Sequence, residues 1–189
     1  MNFGNLRDVR RNNPSGKGLK KQKIYLKQMT IAKKTWENID YYIKGSKKSM
    51  GIIYNDLKKD LPSEQLHRLF VSVGWSDGSE TPEMIKKYNV PFINSTLVIS
   101  AWENECLVGA VRVLSDKMFR SIIYDLLVLP DFQNKGIGKE LIKRCIDHFP
   151  NSEWLVRTTE EISGYYEKNG FKVNNDVFLY MPCKLFSNN

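Results

Sequence analysis

Apolar residues recur with two spacings along the chain, and each spacing predicts a different kind of element. Between residues 25 and 43 they recur every three or four positions, which predicts an amphipathic helix over about residues 22–44. Beyond residue 50, short apolar runs are bounded by polar turn residues, which is typical of strands. Helical spacing returns after Gly138. The apolar positions there are Leu141, Ile142, Cys145, Ile146 and Phe149.

From residue 50 onwards the pattern predicts the element order β-α-α-β-β-β-α-β-α-β. A meander of antiparallel strands comes first and a strand–helix–strand crossover follows, so we expect an α/β fold. Pro62 begins the first helix of this part, and Thr81 is expected to cap the second. Strands are predicted at 51–54, 96–102, 106–114, 119–129, 153–157 and 171–181, and helices from 62, at 82–88, after 138 and at 160–169.

Charge divides the chain into two parts. Residues 1–50 contain 13 Lys and Arg and 3 acidic residues, a net charge of +10. The rest contains the other 16 Lys and Arg and 18 acidic residues, a net charge of −2. We therefore predict a basic arm over 1–49, flexible and then helical, followed by a domain over 50–189.

Three interpretations of the arm stay open. Its amphipathic helix could pack on its own domain or on a second copy, which would make a homodimer. Its clustered Lys and Arg could bind nucleic acid by releasing phosphate counterions, although no nucleic-acid-binding motif accompanies them. It could also lie on a membrane surface.

Several classes of protein fit the composition poorly. No apolar run approaches the length of a membrane span, about 20 residues, and no secretory h-region is present. Three scattered cysteines, Cys106, Cys145 and Cys183, argue against a disulfide framework. With only two histidines, we expect no metal site. A cytoplasmic protein is the prediction.

The segment over residues 125–138 carries the clearest chemistry. An apolar strand beginning at Asp125 stops at Pro130, and a loop with Gly136 and Gly138 then opens the helix. The first turn of a helix has backbone N–H groups without partners, and glycines let a ligand approach them closely. This arrangement predicts a phosphate cradle. It is neither a P-loop nor the dinucleotide-binding fingerprint.

Two motifs resemble those of the GNAT N-acetyltransferases. Gln133-x-x-Gly136-x-Gly138 is similar to the acetyl-CoA motif of that family, and the residues from Tyr165 to Phe171 resemble its Tyr-Glu-Lys-x-Gly-Phe segment. The resemblance covers roughly residues 50–189. It implies a small bacterial-type enzyme with a mixed, largely antiparallel sheet flanked by helices. It also implies that the strands around the glycine loop splay apart to admit the pantetheine arm.

The resemblance implies acetyl-CoA as cosubstrate and a set of residues that hold it. Backbone N–H groups of the 133–139 loop would bind the pyrophosphate, and the N–H near Val128 would polarise the thioester carbonyl. Thr159 stands where many members of the family have Asn. The predicted acetyl-CoA-binding residues are Leu127, Val128, Gln133, Asn134, Lys135, Gly136, Ile137, Gly138, Lys139 and Thr159.

Two residues are candidates for proton transfer. Tyr166 occupies the family position before Glu-Lys-x-Gly-Phe, which implies that it protonates the departing thiolate. Asp125 is the carboxylate of the motif strand nearest the transfer point. It could deprotonate or orient the amine, or it could be a structural carboxylate.

The acceptor is predicted to meet the 74–80 loop. Trp75 offers an aromatic wall there, and Asp77 and Glu80 offer charge for an ammonium group. Tyr124 is a further candidate, on the face opposite Asp125 if the strand is regular. The leading hypothesis is direct acetylation of a primary amine of a small molecule or peptide. The alternatives are an RNA-linked or ribosomal acceptor and a regulator that binds acyl-CoA without catalysis.

Overall fold

The computed structural model describes residues 51–174. The predicted arm and its helix, and most of the predicted final strand, lie outside the described residues. The described elements are β1 (Ile53–Asn55), α1 (Ser63–Ser72), α2 (Pro82–Ile85), α3 (Val90–Ile93), β2 (Leu97–Glu103), β3 (Cys106–Ser115), β4 (Arg120–Val128), α4 (Ile137–His148), β5 (Glu153–Val156) and α5 (Glu160–Glu167).

The strands form one sheet in the order β1-β2-β3-β4-β5. Its first three pairings are antiparallel, and α4 connects β4 to β5. This architecture confirms the predicted fold class. The chain divides into two compact units, one ending at Leu155 and the other beginning at Val156.

The two hairpin turns form at the polar residues where the sequence predicts them, and local hydrogen bonds and backbone conformation explain why. The β2–β3 turn contains Asn104 at φ 54°, in the left-handed region that asparagine tolerates. In the β3–β4 turn, Asp116 Oδ1 accepts N–H groups from Met118, Phe119 and Arg120. Since one carboxylate oxygen satisfies three backbone donors, this turn needs no further partner.

The sheet has a β-bulge in β4 that the sequence pattern does not indicate. Arg112 pairs with Asp125 and Val113 pairs with Ile123, so Tyr124 is an extra residue in β4. The expectation for Tyr124 depended on a regular strand. β4 is irregular at this position, which allows Arg112 to contact both residues, as described below.

Helices cover both faces of the sheet. α1 packs on β3 and β4, where Leu66, Leu69 and Phe70 share a buried cluster with Ala110 and Leu127. We call this side the α1 face.

α4 covers the opposite face and approaches β3 closely at Gly109. A Cβ added to Gly109 would lie 3.4 Å from Ile137 and from Leu141 of α4, and 3.2 Å from the Leu127 carbonyl oxygen. Glycine within this strand therefore sets the spacing between sheet and helix.

Apart from shifts of one or two residues at strand ends, the structure differs from the predicted elements as follows. The second helix ends at Ile85, three residues early, although Thr81 does cap it by accepting the Met84 N–H. The short helices α3 and 130–132 are additional because single turns carry little periodicity. α5 ends at Glu167 rather than at residue 169. Residues 171–174 form no strand, so the prediction for that part of the last strand is wrong.

None of the helices within residues 51–174 is both long enough and apolar enough to cross a membrane.

Candidate functional site

The 133–139 loop presents backbone N–H groups to solvent. Asn134 and Gly136 have φ values of 59° and 81°, so the backbone turns twice through the left-handed region before α4 begins. The first hydrogen bond of α4 runs from the Glu140 N–H to the Gly136 carbonyl at 3.0 Å. In the described part of the chain, no acceptor is found for the N–H groups of residues 134–139. The loop can therefore bind an anion.

Gly136 has no neighbour that would exclude a larger side chain. A Cβ added there would meet nothing within 4 Å. Glycine is thus explained by the backbone conformation and not by internal packing, and the space in front of the loop is open. Ile137 is buried and anchors the start of α4 beneath it.

The loop is braced against the end of β4. Gln133 donates from Nε2 to the Val128 carbonyl at 3.0 Å, and its own N–H bonds the Pro130 carbonyl at 3.1 Å. The Lys135 ammonium lies 4.9 Å from the centre of the Phe132 ring. These contacts connect the predicted cofactor residues on the loop to those at the strand end.

Within residues 51–174, β5 leaves part of one edge of β4 without a strand partner. The Leu129 N–H donates to Val108 at 2.9 Å, towards β3, so the Val128 N–H points to the other edge of the strand. β5 begins beside the start of β4, where the Glu153 N–H bonds Phe119 at 2.8 Å. With four residues against nine, β5 cannot pair with all of β4. The Val128 N–H therefore lies on a part of the strand edge that β5 does not reach within residues 51–174.

Comparison with known proteins agrees with this geometry. The model of the acetyltransferase (GNAT) domain matches residues 75–180, more than half of the chain. The chain belongs to the GNAT acetyltransferase family. It is therefore an acyltransferase by descent, as the two motifs predict.

Relatives and solved structures support the same assignment. An uncharacterized N-acetyltransferase, ycf52, from Pyropia yezoensis is 32% identical over 126 residues, which are 63% of this chain and 70% of the relative. The ycf52-like protein of Prochlorococcus marinus is 30% identical over 127 residues, 61% of this chain and 68% of the relative. A GNAT protein from Streptococcus pneumoniae superposes with a TM-score of 0.57 at 24% identity, covering 70% of this chain and 98% of that one. An aminoglycoside acetyltransferase from a soil metagenome has a TM-score of 0.56 at 22% identity, covering 70% and 97%. At such identities the structures establish the fold alone.

A charged pair lies where β3 pairs with β4. The Arg112 Nε donates to Asp125 Oδ2, and both side chains are only 13% and 12% exposed. The Arg112 guanidinium carbon also lies 4.6 Å from the centre of the Tyr124 ring. The β4 bulge thus brings the two predicted residues of this strand onto one arginine. The sequence pattern did not single out Arg112, although it predicted the strand over residues 106–114 that contains it.

The 74–80 loop is held from within. Glu80 accepts Ser76 Oγ–H and Tyr88 O–H, the latter at 2.7 Å, and its other oxygen lies 2.9 Å from His67 Nε2. Burial would raise the pKa of Glu80, but these hydrogen bonds outweigh it and lower the pKa to about 2. The carboxylate of Glu80 is therefore used internally.

The two predicted substrate residues of this loop differ in environment. The Trp75 ring is 40% exposed and packs edge-on against Phe70 at 5.9 Å between centroids. Asp77 accepts the Ser79 N–H at 2.9 Å and is otherwise exposed. Trp75 thus presents an apolar surface to solvent, while another part of its ring packs against Phe70 in the core of the α1 face.

The second unit carries Tyr166 and Thr159. Tyr166 lies on α5, with its ring edge-on to Tyr165 at 5.3 Å and to Phe171 at 5.7 Å. Burial, with a smaller contribution from Tyr165, raises the pKa of Tyr166 to about 12. Thr159 precedes the first turn of α5, and its carbonyl accepts the Ile162 and Ser163 N–H groups at 3.2 and 3.1 Å.

Metal ligands do not cluster in the described ranges. No three His, Cys, Asp or Glu side chains within residues 51–174 come together as a metal site would require.

Proposed function

We propose that the protein transfers an acetyl group from acetyl-CoA to a primary amine of a small molecule or peptide. After losing a proton to bulk water, the amine would attack the thioester carbonyl directly within a ternary complex. The amide C–N bond would form as the C–S bond breaks, and the second amine proton would leave to water. The observation that carries the proposal is the run of backbone N–H groups over residues 134–139 that have no acceptor within residues 51–174, close in sequence to the end of β4.

The residues present fit acetyl-CoA. Backbone N–H groups of the loop and the first turn of α4 would bind its pyrophosphate, and the exposed side chains of Lys135 and Lys139 add positive charge. The Val128 N–H would donate to the thioester carbonyl oxygen, where negative charge develops during attack. Leu127 on the same strand anchors this end of β4 in the core.

A calorimetric titration of acetyl-CoA into the full chain tests the cofactor site. We expect Gly136→Ala to raise Kd at least about tenfold, because alanine strains the loop conformation that aims the N–H groups. Gly51→Ala is a matched control, since Gly51 has φ 82° against 81° and equally open space. Both variants should lose similar stability, and only Gly136→Ala should lose affinity. Equal affinities in all three proteins would overturn the assignment of the loop.

Tyr166 is proposed to donate the proton that the departing thiolate needs. With a pKa near 12 the phenol stays protonated over the whole working range of pH, so it can serve as a donor at any of these values. We expect Tyr166→Phe to lower kcat by about a hundredfold and to leave the Kd for acetyl-CoA within a factor of about three. Tyr165→Phe, which removes the adjacent hydroxyl, is the control and should keep kcat within a factor of about three. If both variants keep wild-type kcat, the role of Tyr166 is wrong.

Asp125 is proposed to orient the amine. Its Oδ2 is bonded to Arg112, so it is held as a fixed carboxylate and its Oδ1 is left for a donor. Thr159 is proposed to contact the cofactor arm through its hydroxyl in place of the family's Asn.

The charge of residues 1–50 favours a second candidate, acetylation of an RNA-linked or ribosomal acceptor. A net charge of +10 would give strongly salt-dependent binding to RNA. Turnover of a free amine by the full chain should be nearly independent of salt, whereas an RNA-linked acceptor should lose kcat/KM steeply between 50 and 200 mM salt, roughly tenfold or more. A regulator that only binds acyl-CoA would release no thiol with any acceptor, so thiol release distinguishes it from both candidate enzymes.

A further inference from the structure

We propose that Arg112 and Asp125 together select an acceptor that carries an acidic group, a carboxylate or a phosphate, beside its amine. The inference rests on the proposed acetyl transfer and specifies its substrate class. Asp125 would take the ammonium group of the incoming acceptor and Arg112 its anionic group.

Each member of the pair has polar atoms to spare. Arg112 uses Nε, and Asp125 uses Oδ2. No other hydrogen bond of either side chain is found within residues 51–174. The buried polar atoms without a partner in that range are Arg68 Nε and Ser152 Oγ, so the two Nη groups of Arg112 and the Oδ1 of Asp125 reach solvent. Two adjacent Nη donors suit a carboxylate or phosphate bound by two hydrogen bonds.

The pair lies where an acceptor is needed. Asp125 is three residues before Val128 on β4, and the Val128 N–H points to the edge of β4 that β5 does not reach within residues 51–174. Side chains alternate along a strand, so Asp125 shares the α1 face with Leu127, and Arg112 shares it with Ala110. Trp75 packs on Phe70 of this same face. Trp75 of the 74–80 loop and the charged pair therefore belong to one side of the sheet.

The charge arrangement discriminates among acceptors. An amine without an acidic group would bind Asp125 but would give the Arg112 guanidinium no partner. The guanidinium would lose hydrating water without forming a new hydrogen bond. An anion without an amine would bind Arg112 but would leave the Asp125 carboxylate desolvated and without a partner. An acceptor with both groups satisfies both side chains. The Tyr124 ring, stacked on the Arg112 guanidinium, fixes the orientation of the pair.

Matched acceptors test the proposal on the unmodified full chain. Acetylation is measured by thiol release for tyrosine against tyramine, lysine against cadaverine, and phosphoethanolamine against ethanolamine. We expect the acidic member to have a kcat/KM at least about tenfold higher in the carboxylate pairs, the phosphate pair, or both. The two kinds of pair distinguish carboxylate from phosphate recognition. Plain amines that react as well as or better than their acidic partners in every pair would overturn the proposal.

Variants assign the preference to Arg112. Arg112→Gln should reduce the ratio of the two kcat/KM values to near one, whereas Arg120→Gln should preserve it. Arg120 is a suitable control because it is an exposed arginine at the start of the neighbouring strand β4, paired with Glu153. Arg112→Gln leaves Asp125 without its partner, so Arg112→Gln with Asp125→Asn is made as well, and melting temperatures are recorded for each. A folded double variant that keeps the wild-type ratio would contradict the assignment.

Failure of this inference can be told apart from failure of the proposed acetyl transfer. Binding of the same six amines to the protein saturated with CoA is measured by saturation-transfer NMR, which requires no turnover. Preferential binding of the acidic members, lost in Arg112→Gln, supports the site even if no amine is acetylated. Turnover without any preference for the acidic member refutes the site and leaves the transferase intact.

Discussion

Two loops of the larger unit use their polar groups in opposite ways. In the 74–80 loop, five backbone N–H groups have intramolecular acceptors, and the Glu80 carboxylate takes three side-chain donors. In the 133–139 loop, the Gln133 N–H is bonded, and the described part of the chain offers no acceptor to the six that follow. The first loop satisfies its backbone donors internally, whereas the second has donors that are open to a ligand.

This difference indicates which of the two loops can form new hydrogen bonds with a ligand. A loop that satisfies its own polar groups holds a fixed shape, so what it can offer a partner is its exposed surface, here Trp75. A loop with unsatisfied donors gains a hydrogen bond for each one that a ligand fills. We therefore expect changes in the 74–80 loop to lower stability first and changes in the 133–139 loop to lower affinity first.

Glu80→Ala should produce the largest effect, and it should be on stability. Removing the carboxylate leaves His67, Ser76 and Tyr88 without their shared partner, at a cost of about 3 kcal/mol in the free energy of unfolding. For a chain of this length the melting temperature should fall by about 8 °C, measured by calorimetry.

The control for Glu80→Ala is Asp77→Ala, an exposed carboxylate three residues earlier with one turn hydrogen bond. It should change the free energy of unfolding by less than about 1 kcal/mol. Similar losses in the two variants would mean that the internal network of the 74–80 loop contributes little.

The pH dependence of stability sharpens the same contrast. The pKa of Glu80 is about 2 in the folded protein against an ordinary value of 4.5, so the folded state binds this proton more weakly than the unfolded state. The contribution of Glu80 is therefore complete above pH 4.5 and is lost as the pH falls towards 2. The difference in unfolding free energy between wild type and Glu80→Gln should shrink over this window, measured by urea denaturation. A difference that stays constant down to pH 2 would contradict the low pKa.

Local chemistry was predictable from sequence, and contacts between distant segments were not. Thr81 capping a helix, the Asp116 turn and the Gly136 loop each depend on residues within four positions of one another, so their patterns are visible in the chain. The Glu80 network needs His67, thirteen positions away on α1, and the Arg112 pair needs a bulge at Tyr124. The alternation of apolar and polar residues cannot indicate a bulge. A single inserted residue shifts the register of the two strands but leaves the strand just as rich in strand-forming residues.

The smallest expected effect comes from the brace of the 133–139 loop. Gln133→Ala removes the hydrogen bond from Nε2 to the Val128 carbonyl but leaves every backbone N–H of the loop in place. Because an exposed hydrogen bond of this kind contributes about 1 kcal/mol, the Kd for acetyl-CoA should rise about fivefold while the melting temperature changes little.

The control for Gln133→Ala is Lys143→Ala, which removes an exposed ion pair with Asp147 on α4, away from the loop. It should leave both the Kd and the melting temperature nearly unchanged. If Gln133→Ala lowered the melting temperature as strongly as Glu80→Ala, the two loops would not differ in kind, since both would then depend on internal bonds for their shape. If it changed affinity alone, the brace would serve to aim donors that only a bound ligand uses.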